Sequence, residues 1–176
     1  MSRLRLFFAL WPDDRVRDAL WASAEPLRRA CRGRPVAKRN LHATLVFLGG
    51  LDEARLPEVE GAAGSVEAGA FCLRFDAWGR FQRAGVAWLG CRRPDPAAAG
   101  LATALTDAME GIGLAPERRP FRPHVTVLRK CRDGSPDEPV APVDWPLSEF
   151  WLVQSRTLET GPVYEPLKRW PLAQET

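Results

Sequence analysis

The sequence predicts an α+β fold, and three observations carry that reading. Several short segments alternate apolar and polar residues with the period of a β-strand. Others place apolar residues at helical spacing, joined to the strands by tight connections. The order of segments also repeats: strand, helix, a histidine-bearing strand, helix, then strands, helix, a second histidine-bearing strand and closing strands. A duplicated, bilobal fold of that kind makes the two histidine strands counterparts, within one bilobal domain over residues 1–176.

Residues 3–10, RLRLFFAL, read as a first strand, with Leu4, Leu6, Phe8 and Leu10 on one face and Phe7 and Ala9 on the other. Pro12, Asp13 and Asp14 open a helix, because proline and carboxylates suit its first turn. Val16, Ala19, Leu20, Ser23 and Leu27 continue it at helical spacing, and Pro26 should kink or shorten it. CRGRP, residues 31–35, is expected to be a loop. Residues 41–48 read as a strand bounded by Gly49 and Gly50, followed by a helix from about Asp52 to Val66 that Gly61 and Gly64 weaken.

Segments 71–81 and 84–91 read as two neighbouring strands. Asp95 caps the next helix with Pro96 in its first turn, and Leu101, Leu105, Ala108 and Ile112 form its buried stripe up to Gly113. Residues 123–130 form the second histidine strand, and 132–139 a polar loop. Segments 147–158 and 164–172 close the chain as strands, with 159–162 turning between them.

Apolar residues make up 45% of the 176, enough to fill a core and to exclude a disordered chain. No apolar run is long enough for a membrane span. The N-terminal apolar stretch lacks a small-residue cleavage site and turns acidic at once, so a signal peptide is not expected. The four cysteines, at 31, 72, 91 and 131, are isolated in sequence. They are expected to be reduced thiols of a cytoplasmic protein. A net charge of +3, carried mostly by arginine, permits an anionic ligand without requiring one.

The only two histidines, His42 and His124, both stand in the pattern His, any residue, Thr, apolar: HATL at 42–45 and HVTV at 124–127. On a strand His42 and Thr44 point the same way, ~6.5–7 Å apart, and His124 and Thr126 repeat this. Ala43, Leu45 and Phe47 are then expected behind the first motif, and Val125 and Val127 behind the second. Side by side, such strands turn two imidazoles and two hydroxyls into one cleft. That set suits a phosphate diester. One imidazole can act as base and the other as acid near neutral pH, while hydroxyls donate to the non-bridging oxygens. A zinc site, a serine triad and a phosphate-binding glycine loop are disfavoured, since HExxH, paired CxxC, GxSxG and GxxxxGK[ST] are all missing.

These motifs resemble the two HxTx motifs of the 2H phosphoesterase superfamily. With RLFFAL, NLHATLVFLG, AGVAWLG, RPFRPHVTVLR and GPVYEPLKRWPL, the chain from about residue 3 to 172 looks like its RNA 2′,3′-cyclic phosphodiesterase group, also called 2′-5′ RNA ligase-like or LigT-like. The resemblance implies two pseudo-symmetric lobes of mostly antiparallel sheet, helices outside and a central cleft. It implies metal-free hydrolysis of a terminal RNA 2′,3′-cyclic phosphate to a 2′-phosphomonoester, with 2′-5′ ligation as the reverse reaction and no cofactor. His42 would protonate the leaving 3′ oxygen, His124 would take the proton from water, and Thr44 and Thr126 would hold phosphate oxygens. The implied partners are RNA ends or nucleotides bearing the cyclic phosphate, met by a monomer and not by a membrane. Ala43 departs from the bulky apolar residue many members carry there, a change that repacks the lobe and spares the cleft.

Around the motifs, Arg122 and Arg129 are candidate phosphate ligands, although Arg129 starts on the wrong face by alternation and needs a bend to reach the cleft. Phe7 and Tyr164 are candidate base-stacking residues, with Trp11 and Trp88 as weaker base platforms. Two alternatives remain open at this level. One is a non-catalytic RNA-end binder; the other is a 2H phosphodiesterase acting on a nucleotide-sugar cyclic phosphate or a 2′,5′-oligonucleotide.

Overall fold

A computed structural model describes residues 2–174. In chain order its elements are β1 Arg3–Leu10, α1 Asp14–Ser23, α2 Glu25–Ala30, β2 Arg34–Pro35, β3 Ala43–Asp52, α3 Leu56–Gly64, β4 Phe71–Phe75, β5 Ala77–Phe81, β6 Val86–Gly90, α4 Pro96–Gly111, β7 His124–Arg129, β8 Val143–Leu147, β9 Glu149–Leu158 and β10 Gly161–Pro171. The strands form one four-stranded sheet in the order β10-β9-β1-β3, a second in the order β2-β7-β6-β5, and a two-stranded ribbon β4-β8. All these pairings are antiparallel. The fold is the expected α+β arrangement of two sheet-based lobes.

Alternation on β1 works as the sequence implies. Leu4, Leu6, Phe8 and Leu10 enter the main core, while Phe7 and Ala9 join Val153 in a small cluster on the opposite face. Asp13 caps α1 by accepting from the Val16 N–H at 2.8 Å, and Asp95 caps α4 by accepting from that of Ala97 at 2.9 Å. Gly113, at φ +78°, takes the left-handed turn that closes α4.

Several boundaries differ from the sequence reading, each for a local reason. The first helix is shortened at Pro26, as expected, but a second one starts there: α1 ends at Ser23, and Pro26 sits in the first turn of α2. Gly49 does not stop β3. At φ +77° it follows a bulged residue, Leu48, and pairing with β1 continues to Asp52. The following helix therefore starts only at Leu56, after a 3₁₀ turn at Glu53–Arg55. The 71–81 segment is two strands in two sheets, with a corner at Asp76 whose carboxylate accepts the Arg92 backbone N–H at 2.9 Å. The 31–35 loop contains the short strand β2, and β8 and the early start of β10 are additional to the reading. Pro162, Pro166 and Pro171 are accommodated because β10 is an edge strand.

The two lobes are interleaved. After β1 of the first sheet, the chain places α1 against β8 and α2 against β7, and β2 pairs with β7. After β6 of the second sheet, it places α4 against β3 of the first. One continuous core thus joins Leu6, Phe8 and Val46 with Leu89, Val125 and Leu128. Phe8→Ala, at a fully buried ring, should lower the unfolding free energy by about 3–5 kcal/mol. Because the core is shared, urea should still produce one transition, coincident by tryptophan fluorescence and far-UV circular dichroism. Two separated transitions would contradict a shared core.

Candidate active site

Both histidines are positioned by the same local geometry. Pro123 fixes φ near −65°, and Leu41, its counterpart, adopts φ −63° and ψ 124°. In each case the backbone turns the carbonyl two residues before the histidine back onto the ring. His42 Nδ1 lies 2.7 Å from the Asn40 carbonyl, and His124 Nδ1 lies 2.7 Å from that of Arg122. A carbonyl can only accept, so Nδ1 carries the proton in both rings and Nε2 is left for chemistry. On His42 the Thr44 hydroxyl donates to Nε2 at 3.1 Å. Asn40 is itself buried, its Nδ2 donating to the Pro162 carbonyl at 2.9 Å, so β10 anchors the residue that orients His42.

Each histidine strand also carries a one-residue bulge at the same place. Thr44 pairs with Ala9 and Val46 with Phe8, which leaves Leu45 unpaired. Thr126 pairs with Trp88 and Leu128 with Ala87, which leaves Val127 unpaired. In both strands the residue after the threonine is inserted, and two successive apolar residues turn into the core: Leu45 with Val46, and Val127 with Leu128. Strict alternation is thereby shifted by one. Phe47 is not behind the strand as alternation implies; it joins Phe7 and Tyr164 in the cleft-side cluster. Arg129, at the equivalent place on β7, is brought to the cleft by the same shift.

His42, Thr44, His124, Thr126, Arg122 and Arg129 all line one cavity of about 1110 Å³ between the sheets. Tyr164 lines it too, its ring 5.0 Å from that of His42 and edge-on to it. Phe7 is only 3% exposed, with its ring 5.0 Å from His42 and 5.4 Å from Tyr164. It lines the cavity as well, but most of its surface is taken up by backing the imidazole. Trp11 stacks near His42 at 5.8 Å, and Trp88 lies 6.2 Å from His124; neither lines the cavity. Trp88 lies over Gly79 and Gly90, where an added Cβ would fall 2.3 Å and 2.6 Å from the indole. The sequence reading missed Phe81, which lines the cavity, is 37% exposed and meets His124 edge-on at 5.2 Å. Its alternation on β5 was readable, but not which sheet β5 would join. Among the described residues no group of three His, Cys, Asp or Glu side chains is assembled.

The surrounding rings set the electrostatics. Burial pushes the His42 pKa down from 6.5 to about 4; the Asn40 carbonyl opposes this, and the charges of Arg129 and His124 add to it. Burial also lowers that of His124, against the Arg122 carbonyl and with help from Arg119. The Arg129 effect on His42 reaches from one histidine strand to the other.

The sequence family described as the 2′-5′ RNA ligase superfamily matches residues 16–157. The RNA 2′,3′-cyclic phosphodiesterase of Escherichia coli K12 is 34% identical over 97% of this chain and 97% of its own. The protein of the same name from Thermus thermophilus is 32% identical over 98% and 92%. Among solved structures, E. coli LigT complexed with 3′-AMP superposes with a TM-score of 0.88 at 32% identity, covering 98% of this chain and all of that one. A more distant likeness, the MHV ns2 PDE domain at 15% identity and TM-score 0.62, concerns the fold alone.

With two histidines, the imidazole region of a ¹H–¹³C spectrum should hold two titrating signals. One should have a midpoint of about 4, vanish in His42→Asn, and be joined by a second below 6.5. The sign for stability follows. A folded pKa below the unfolded one means that acid favours the unfolded chain. His42 should therefore cost about 1–3 kcal/mol of stability as pH falls from 6.5 towards 4, with nothing lost above 6.5. A His42 signal titrating at or above 6.5 would show that the ring is not desolvated.

Proposed function

The chain belongs to the 2′-5′ RNA ligase superfamily, and we propose that it hydrolyses RNA 2′,3′-cyclic phosphate ends to 2′-phosphomonoesters by acid–base catalysis between its two histidines. The observation that carries this reading is the duplicated strand: two identically oriented imidazoles and two threonines lining one cavity. The relatives' shared name and the 3′-AMP complex of one of them support a nucleotide in this cleft.

In the reaction, water attacks phosphorus while His124 Nε2 takes its proton. The bond from phosphorus to the 3′ oxygen breaks, and His42 Nε2 gives its proton to that oxygen. A 2′-phosphate and a free 3′ hydroxyl result. Thr44 and Thr126 donate to the non-bridging oxygens, with Arg129 and Arg122 as further phosphate ligands. With a 5′ hydroxyl in place of water as the attacking group, the same two proton transfers open the cyclic phosphate to a 2′-5′ phosphodiester, the 3′ oxygen again leaving as a hydroxyl. No metal ion has a step in this scheme.

In the empty cleft His42 is the harder ring to protonate, so the acid must be charged with help from the substrate. The negative phosphate supplies that help. The profile of kcat/KM reports the free enzyme and should be a bell, with an acid limb near 4 and an alkaline limb below 6.5. The profile of kcat, which reports the complex, should move to higher pH.

His42→Ala and His124→Ala should each reduce kcat on a nucleoside 2′,3′-cyclic phosphate by about 10²–10⁴-fold, and EDTA should change nothing. The roles separate on a diester with a good leaving group, such as bis(p-nitrophenyl) phosphate. Loss of the acid should matter much less there than loss of the base, so His42→Ala should retain more of its rate than His124→Ala. Full activity in either variant, or loss in EDTA, would sink the scheme; the opposite order would exchange the roles.

A further inference from the structure

The cavity is larger than one cyclic phosphate needs, and three of its cations, Arg5, Arg118 and Arg119, have no part in the scheme above. Arg118, Arg119, Arg122, Arg129 and Arg5 line it. Arg118 is tied to Asp107 and Glu110 at 3.0 Å and 2.6 Å, and Arg119 to Glu117 at 2.7 Å. Arg122 and Arg129 belong to the second histidine strand and its approach. Arg5 stands alone on the opposite lobe. It is exposed on β1, two residues before Phe7 and on the same face, ~6.5–7 Å further from the ring that backs His42.

Arg5 has no carboxylate partner among the described residues, yet it is held in place. The bulge after Thr44 turns Phe47 to the cleft side, and the Arg5 guanidinium sits over the Phe47 ring, 5.0 Å from its centre. Across the sheet, Arg5 is in register with Ser155 on β9, and Ser155 with Tyr164 on β10. A guanidinium, a hydroxyl and a phenol therefore form one row along the cavity wall, beside the row that contains Phe7 and Val153. Such a row offers donors only to an anion: the guanidinium cannot accept, and both hydroxyls can donate.

We propose that Arg5, with Ser155 and Tyr164 beside it, binds the phosphodiester that links the terminal nucleotide to the rest of the RNA. This rests on the cyclic phosphodiesterase reading of the cleft. With the cyclic phosphate between the two histidines, the remaining negative charge of an RNA end lies one nucleotide upstream. Arg5 is the unpaired cation one row away. It makes the enzyme prefer an RNA end to a mononucleotide without touching the reacting phosphorus.

The test uses two diribonucleotides ending in 2′,3′-cyclic phosphate, one with an ordinary internal phosphodiester and one with an uncharged methylphosphonate in its place. The wild-type protein should favour the charged linkage in kcat/KM by about tenfold or more, the range of a charge-assisted hydrogen bond. Arg5→Gln should abolish that preference, Arg5→Lys should keep part of it, and Ser155→Ala should weaken it. Each variant is its own control, because the methylphosphonate substrate lacks only the proposed contact. An undiminished preference in Arg5→Gln, or equal rates on both substrates in the wild type, would overturn the assignment. If the wild type turned over neither substrate, the cyclic phosphodiesterase reading itself would fail. The same comparison made with Kd values of the two dinucleotide 2′-phosphates would still decide whether Arg5 senses the upstream charge.

Discussion

Much of the site follows from one extra residue in each histidine strand. Without the bulge at Leu45, strict alternation would carry Phe47 into the first lobe. Without the bulge at Val127, it would carry Arg129 away from the cleft. Inserting one residue after the threonine leaves His and Thr on the cleft face and buries the next two apolar residues. It then returns the following side chain to the cleft, as an aromatic ring on one lobe and a guanidinium on the other. The duplicated strands thus give a symmetric pair of imidazoles and hydroxyls and an asymmetric supply of charge.

That asymmetry matters because the aromatic enclosure of His42 has a cost. Phe7, Trp11 and Tyr164 crowd the partly exposed ring and strip it of part of its hydration, and the fall of its pKa from 6.5 to about 4 corresponds to about 3 kcal/mol against the imidazolium. A single phosphate charge in contact, at ~4 Å and an effective dielectric near 20, is worth about 4 kcal/mol in the other direction. The two magnitudes are close enough for substrate binding to switch the ring from neutral to charged. Arg129 works against His42 in the empty cleft, but in the proposed reaction a phosphate lies between them and Arg129 acts on that phosphate instead. The same cation that suppresses the acid at rest can hold the group that restores it.

The two histidines and two threonines that line the cleft, and the α+β class, were legible because they depend on local patterns: paired motifs, period-two alternation and capping aspartates. Phe8 in the core and Phe7 on the other face followed from alternation alone. The role of Phe7 did not, since burial depends on the Tyr164 ring arriving from β10, far away in the chain. The bulge on β7 was written in the sequence as ValLeu at 127–128, a doubled apolar pair in an otherwise regular alternation, and reading it as an insertion would have placed Arg129 correctly. On β3 the run LeuValPheLeu at 45–48 is apolar throughout and hides the equivalent insertion, so Phe47 was not placed. Phe81 needed more: the split of segment 71–81 between two sheets is set by long-range pairing of β4 with β8 and β5 with β6, which no local pattern encodes.

The interleaving of the lobes explains how the proposed mechanism, which needs two rings on one phosphorus, can rest on strands so far apart in sequence. Were each lobe a separate unit, their spacing would depend on a linker, and small hinge motions would move one imidazole relative to the other. Instead β2 pairs with β7, α4 lies on β3, and the core is shared. Sliding one lobe past the other would open packed apolar contacts along that whole core. A close-packed interior resists such opening, since even a void the size of a methyl group is unfavourable. The shared core restrains the two histidine strands relative to one another, and the proposed acid–base catalysis gains from groups already in place. That restraint is a consequence of how the chain crosses between its sheets, and the two histidine strands share it.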